Sequence, residues 1–351
     1  MIRKEKSLTS QIKKRVSAVV PKSEMKYAGT TETMISTGST LLDLAISGGR
    51  IRGGGLPAGI LVEIFGPSGS GKTVLLSEIA GAIQRQQGRI MFHDPESRLN
   101  KQFAQLFGFD LEKESYSRPD TVPEVFKAIR EWEPEIKNKT AINAIFADSL
   151  AALSTNLEMT NDDGDKMGMR RAKEFSEELR KTARILTQKN YLLVCSNQVR
   201  VNVDAGPYGQ KYVSPGGESI GFYSSLRLRV SSPSKIKEKK KVAGKEISRV
   251  VGIEVIVEVY KSSIWKPYRT APLTIKFDYG IDDIRENLQF IKDYSKNTTY
   301  TVGGESFGVS KDDAVKAVEE QGLEKVLREE VIDLWEDIES RFETPRKSKE
   351  R

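Results

Sequence analysis

From residue 60 onward the chain alternates short, largely apolar runs with longer stretches whose apolar positions recur three and four apart. The runs at 61–65, 89–93, 144–148, 191–197, 226–230, 251–260 and 273–277 read as strands. The stretches 72–87, 99–107, 122–132 and 169–189 read as helices. Strands alternating with helices of this length form crossover units on a mainly parallel sheet, so the expected class is α/β. The last three strands follow one another with few helices between them, which predicts an antiparallel far side.

The flanks have a different pattern. Up to position 22, seven Lys and Arg face one acid, Glu5, and 10–20 reads either as an amphipathic helix ended by Pro21 or as a solvated tail. Residues 48–57 have the glycine-rich chemistry of a turn. Six lysines against Glu238 between 235 and 245 read as a solvated loop or hairpin tip. After Asp282 helical spacing returns at 312–326 and 329–342, which predicts a small helical C-terminal unit followed by a disordered basic tail. No internal repeat is visible.

Composition narrows the functional classes. The 351 residues are 38% hydrophobic and 30% charged, which fits a globular chain long enough to bury its own core. Lys and Arg number 56 against 49 Asp and Glu, a net +7 compatible with an anionic partner. The single cysteine, Cys195, excludes a disulfide framework, and the single histidine, His93, disfavours histidine catalysis and histidine-rich metal sites. No apolar run reaches the roughly 18 residues of a membrane span, and the start lacks a signal-peptide core. The expectation is a soluble intracellular protein with no membrane partner.

One motif has specific chemistry. Gly66, Pro67, Ser68, Gly69, Ser70, Gly71, Lys72 and Thr73 satisfy G-x-x-x-x-G-K-[ST] between an expected strand and an expected helix. Small residues let consecutive backbone N–H groups wrap a phosphate, and the helix N-terminus adds a favourable dipole. Lys72 then reaches the β- and γ-phosphates of ATP, and the Thr73 hydroxyl binds Mg²⁺. Asp148 ends an apolar strand about 75 residues on and is placed to complete the Mg²⁺ and water shell. His93-Asp-Pro-Glu96 ends another strand, so Asp94 or Glu96 is a candidate to orient or deprotonate an attacking water; Asp94 also reads as a helix N-cap. His93 reads as a packed strand-end residue.

Beyond these motifs, Ile35-Ser-Thr-Gly-Ser39, Asp94-Pro-Glu-Ser-Arg-Leu99, Asp148-Ser-Leu-Ala-Ala-Leu153, Ser196-Asn-Gln-Val-Arg200 and Pro215-Gly-Gly-Glu-Ser-Ile-Gly-Phe-Tyr223 occur in one order. Together they resemble bacterial RecA-family recombinases over residues 34–285, and the 48–55 insertion is similar to that of UvsX-type phage enzymes. The resemblance implies a RecA-type P-loop NTPase core at 34–280, a basic oligomerisation segment at 1–33, a small helical domain at 281–342 and a basic tail at 343–351. It implies Glu96 as the base on the attacking water, Asn100 and Phe103 at the adenine, Gln198 as γ-phosphate sensor and Phe222 as relay across the subunit interface. Lys261 matches one of two lysines that reach the neighbouring subunit's ATP; the second position holds Ser263, so the interface relies on Lys261 alone or recruits Lys266 or Arg269.

The resemblance also places DNA-binding loops at about 159–168 and 199–217. The expected contacts are Met167, Arg170, Arg171 and Lys173 beside the first loop, and Arg200, Val201, Val203, Lys211, Gly216 and Gly217 in the second. The second loop also reads as a lid over a small substrate. The implied function is a DNA-dependent ATPase that forms helical filaments on single-stranded DNA and exchanges strands with homologous duplex DNA. ATP and Mg²⁺ serve it, the C-terminal helices gather duplex, and single-strand-binding and loader proteins are candidate partners in a bacterial or phage-infected cytoplasm. A ring-forming motor of the same core, a weakly hydrolysing regulatory scaffold and a small-molecule kinase are the competing readings.

Overall fold

The computed structural model describes residues 33–135, 138, 140–155, 167–201, 212–213 and 219–346. The expected helix at 10–20 and most of both expected DNA loops lie outside the described residues. In chain order the elements are β1 (Met34–Ile35), α1 (Thr40–Ser47), β2 (Leu56–Pro57), β3 (Leu61–Gly66), α2 (Lys72–Arg85), β4 (Ile90–His93), α3 (Lys101–Leu106) and β5 (Ser115–Ser117). Then come α4 (Val122–Glu131), β6 (Asn143–Ala147), α5 (Met167–Lys189), β7 (Tyr191–Gln198), β8 (Arg200–Val201), β9 (Tyr212–Val213), α6 (Ser219–Tyr223) and β10 (Leu226–Val230). The chain continues through β11 (Ser234–Val242), β12 (Lys245–Ser262), β13 (Thr270–Lys276), β14 (Gly280–Ile281), α7 (Asp283–Tyr294), β15 (Thr301–Val302), β16 (Glu305–Ser306), α8 (Lys311–Gln321) and α9 (Glu324–Ser340).

Ten strands form one sheet in the order β14-β13-β12-β10-β3-β7-β6-β4-β5, with β11 on β12. From β10 to β5 all neighbours are parallel, while β12, β13 and β14 add antiparallel strands on the far side, as expected. The central strands are apolar on both faces because each face meets helices. Val62, Ile64, Phe146, Leu192 and Val194 enter the cluster that holds α1 and α2, whereas Leu61, Ile145, Leu193 and Cys195 enter the cluster that holds α4 and α5. This period of two gives the sheet its layers. In α4, the Glu124 carboxylate accepts from the Asp120 and Thr121 N–H groups at 2.9 and 3.2 Å and so fixes the start, and Val122, Val125, Phe126 and Ile129 supply the buried stripe.

The C-terminal helices differ from the sequence expectation in their boundary. The expected helix 312–326 is cut at Gly322, whose left-handed φ of 65° ends α8, and α9 begins at Glu324 rather than 329. Ile284, Leu288, Ile291, Leu327, Val331, Ile332 and Trp335 of this unit share one continuous cluster with the sheet. Polar clamps reinforce that seam: the Thr40 N–H and hydroxyl each donate to Asp283 at 2.7 Å, and Arg52 of the glycine-rich insertion pairs with Glu329, Asp333 and Glu336 of α9. The lysine run at 235–245 forms the arms of a hairpin, not merely its tip. Residues 237–242 and 245–250 pair only with each other beyond the edge of the sheet. No helix among the described residues is long and apolar enough to cross a membrane.

Candidate active site

β3 ends at Gly66, and residues 67–71 turn the chain into α2, whose N-cap, Gly71, has a φ of 85°. A Cβ at Gly71 would sit 2.3 Å from Ile275 Cδ1, so this close approach requires glycine. An open cavity of about 250 Å³ lies over the start of α2, where the helix dipole favours an anion. Residues 68–73 form its floor, Glu96, Arg98, Asp148, Ser149, Ser196 and Gln198 its ligand-edge wall, and Ile253, Ile275 and Phe277 an apolar flank. Gly66 and Pro67 lie just behind: their carbonyls accept from the Lys72 ammonium at 3.1 and 2.7 Å. Burial pushes the Lys72 ammonium below its ordinary value, and the nearby Asp148 and Glu96 carboxylates oppose that shift.

Thr73 Oγ1 donates to Asp148 Oδ2 at 2.6 Å, and Ser196 Oγ donates to the other carboxylate oxygen. Burial pushes the Asp148 carboxyl up, countered by these two hydroxyls. A hydroxyl and a carboxylate at the mouth of a phosphate loop form a hard-oxygen donor set, which fits Mg²⁺. Among the described residues no group of three or more His, Cys, Asp or Glu could hold a metal by itself. Mg²⁺ bound with nucleotide phosphates needs only one or two protein carboxylates, so the donor set and the ion agree.

Glu96 projects from a loop braced by its neighbour. Asp94 is buried and accepts from Leu99 N at 2.8 Å and from the Tyr116 hydroxyl at 2.9 Å, so Asp94 shapes the loop and Glu96 faces the cavity. The helix cap expected of Asp94 belongs to Asn100, whose side chain accepts from Phe103 N at 2.8 Å. Glu96 Oε1 accepts from Ser149 Oγ at 2.8 Å and from Gln198 Nε2 at 3.2 Å, while Arg98 Nε pairs with Oε2 at 2.7 Å. His93 is packed at its strand end, and burial lowers its imidazole to about 4.

Several expected residues stand elsewhere. Asn100 and Phe103 do not line the cavity, and Phe103 packs edge-on against Phe107 at 4.8 Å. Lys261 lies away from this chain's own cavity: its ammonium donates to the carbonyls of Gly221 and Phe222 at 2.9 and 3.0 Å. Phe222 itself is 77% exposed. Arg269 is held by both oxygens of Glu339 and stacks on Trp265 at 4.2 Å, and Lys266 leans on the same carboxylate and ring. Arg269 is thus held at the seam with α9, while Lys266 stays about half exposed beside it.

Of the expected DNA contacts, Met167 and Arg170 lie in the first turn of α5, Lys173 is exposed on it, and Arg171 donates to the Leu153 carbonyl. Arg200 and Val201 form β8, paired with Val213 and Tyr212 of β9, so a short hairpin frames the loop read as irregular. Val203, Lys211, Gly216 and Gly217 lie outside the described residues. Sequence reasoning gave no role to Arg98, Ser149, Ser196 or the apolar flank. Ser149 and Ser196 could have been found as small polar residues at the ends of β6 and β7, on the edge that holds Asp148.

Comparison with known proteins gives the family. The family model for the RecA N-terminal domain matches residues 6–282. Protein RecA of Delftia acidovorans (strain DSM 14801 / SPH-1) is 31% identical over 306 residues, covering 86% of this chain and 78% of that protein. Protein RecA of Colwellia psychrerythraea (strain 34H / ATCC BAA-681) is 31% identical over 328 residues, covering 90% and 89%. Protein RecA of Anaplasma marginale (strain Florida) is 34% identical over 253 residues, covering 72% and 65%. With the phosphate loop, the strand-end carboxylates and these matches in agreement, the chain belongs to the RecA family.

Proposed function

We propose that the chain is a DNA-dependent ATPase that polymerises on single-stranded DNA and catalyses homologous pairing and strand exchange. The observation that supports it most directly is the position of Gln198. It bonds to Glu96 inside the cavity, and two residues later the same chain enters the 199–217 loop through Arg200. On this proposal hydrolysis chemistry and the loop meet at one strand end.

In this reading Glu96 accepts the proton of the attacking water, held in place by Ser149 and Gln198. Lys72 leaves the carbonyls of Gly66 and Pro67 for the β- and γ-phosphates. Thr73 and Asp148 would hold Mg²⁺, which when bound neutralises phosphate charge. Gln198 reports the γ-phosphate to the loop, so ATP acts as a switch on DNA affinity. Lys261 and Phe222 act across the interface between subunits. The division into segments 1–33, 34–280, 281–342 and 343–351, a cytoplasmic location, and single-strand-binding and loader partners belong to the same reading.

The test is strand exchange between homologous substrates at stated salt, run beside ATP turnover with and without single-stranded DNA. Glu96→Gln should abolish stimulated turnover, by about 10²-fold or more, while ATP still binds. An unchanged stimulated rate contradicts the assignment of Glu96.

A further inference from the structure

The most concentrated charge of the chain stands outside the cavity, on β11 and β12. From 234 to 250 there are six lysines and Arg249 against Glu238 and Glu246. Both acids are already neutralised, Glu246 by Lys239 at 2.9 Å and Glu238 by Lys276 of β13 at 3.2 Å. The other cations form no ion pair among the described residues, and 239–250 are exposed throughout.

The register distributes these cations over both faces. Lys237, Lys239 and Lys241 leave one face, and Lys240, Lys245 and Arg249 leave the other. Residues 234–251 contain no aromatic side chain, so the ribbon has nothing on which the bases of a single strand could stack. A groove of duplex DNA has phosphate on both walls. The major groove, about 12 Å wide, admits a two-stranded β-ribbon.

Position and charge elsewhere point the same way. Because β12 runs antiparallel to β10, the ribbon leaves the sheet at the edge where β3 ends in Gly66 and β7 in Gln198. Its foot, Ile253, lies opposite Lys235 and Ile275 and lines the cavity. The C-terminal unit has the opposite charge: residues 281–342 hold sixteen Asp and Glu against eight Lys and Arg, and the balance stays negative after Arg52, Lys266 and Arg269 pair with four of the acids.

We propose that the β11–β12 ribbon is the docking surface for duplex DNA, inserted in the major groove and held by phosphate contacts independent of sequence. This rests on the reading of the chain as a DNA-dependent recombinase, and moves duplex capture from the C-terminal helices to the ribbon.

The experiment uses the full chain with Lys237, Lys239, Lys240 and Lys241 all changed to Gln. Binding of a labelled duplex by the ATP-bound protein is followed against salt, beside ATP turnover stimulated by single-stranded DNA. Duplex affinity should fall at least tenfold, and the slope of log affinity against log salt should shrink by about 3. Stimulated turnover should stay within twofold of wild type, and a Lys311→Gln/Lys316→Gln control on α8 should keep its duplex affinity. Unchanged duplex affinity and slope overturn the proposal, as does an equal loss in the α8 control or an equal loss of single-strand binding. A wild-type chain without stimulated turnover, whose duplex binding still depends on the ribbon, would instead overturn the recombinase reading alone.

Discussion

Asn197 donates its side-chain amide to Glu63 at 2.9 Å, one residue before Gln198 enters the cavity. Glu63 is fully buried and also accepts from Arg227 Nε at 2.6 Å, and Arg227 stacks over Phe65 at 4.5 Å. A Cβ at Gly221 would meet the Arg227 guanidinium at 2.8 Å, so α6, with Phe222 and the carbonyls held by Lys261, packs on the same group. The strand end that touches Glu96 is thereby joined to the helix that faces outward.

That buried pair has a measurable cost when broken. Arg227→Met leaves the Glu63 charge without its cation and should destabilise the fold by about 3–5 kcal/mol. Urea unfolding measures it, and Glu63→Gln/Arg227→Met together should recover much of the loss. A single variant as stable as wild type would show that Glu63 does not depend on Arg227.

Gln198→Ala removes one of the donors to Glu96 and the side chain nearest the loop. The ratio of DNA-stimulated to unstimulated ATP turnover should fall at least about tenfold, as expected when a positioned group leaves the reacting centre. An undiminished ratio would break the link between cavity and loop.

Thr73→Val deletes the hydroxyl that meets Asp148 at 2.6 Å. The Mg²⁺ concentration for half-maximal turnover should rise about tenfold or more, because one of two protein oxygens is gone. Titration of turnover with Mg²⁺ reads it; an unchanged midpoint removes Thr73 from the site.

Asp43 lies fully buried between Ser36 and Thr37, and burial raises its carboxyl to about 7. Asp283 is the charged group that acts on it: burial raises Asp283 too, and Arg328 pulls Asp283 back. Since the folded chain holds this proton more tightly than the unfolded one, stability should fall as pH rises from about 4 to about 7 and level off above. Asp43→Asn should flatten much of that slope, worth roughly a few kcal/mol across the window. Unfolding midpoints at pH 4.5 and 7.5 (about those values) compare the two chains; identical slopes would contradict the raised carboxyl.

The sheet and the phosphate loop were legible because their signals are local. The short apolar runs at 61–65, 144–148 and 191–197 stand out against their polar flanks, and 66–73 needs only its own residues to make a cradle. The C-terminal boundary was misread because apolar spacing runs on through Gly322, and only its left-handed backbone marks the stop. The lysine run was legible as solvated but not as strand, because the hairpin owes its register to pairing with 245–254. The contacts of Arg269 and Lys266 with Glu339 join residues about 70 positions apart, which no local pattern announces.

The central claim is a filament-forming recombinase, and electron microscopy of the full chain with ATP, Mg²⁺ and single-stranded DNA tests it most directly. The account predicts extended helical filaments along the DNA, lost with Lys72→Ala and shortened with Phe222→Ala. Closed rings without filaments, under conditions where ATP is turned over, would contradict it.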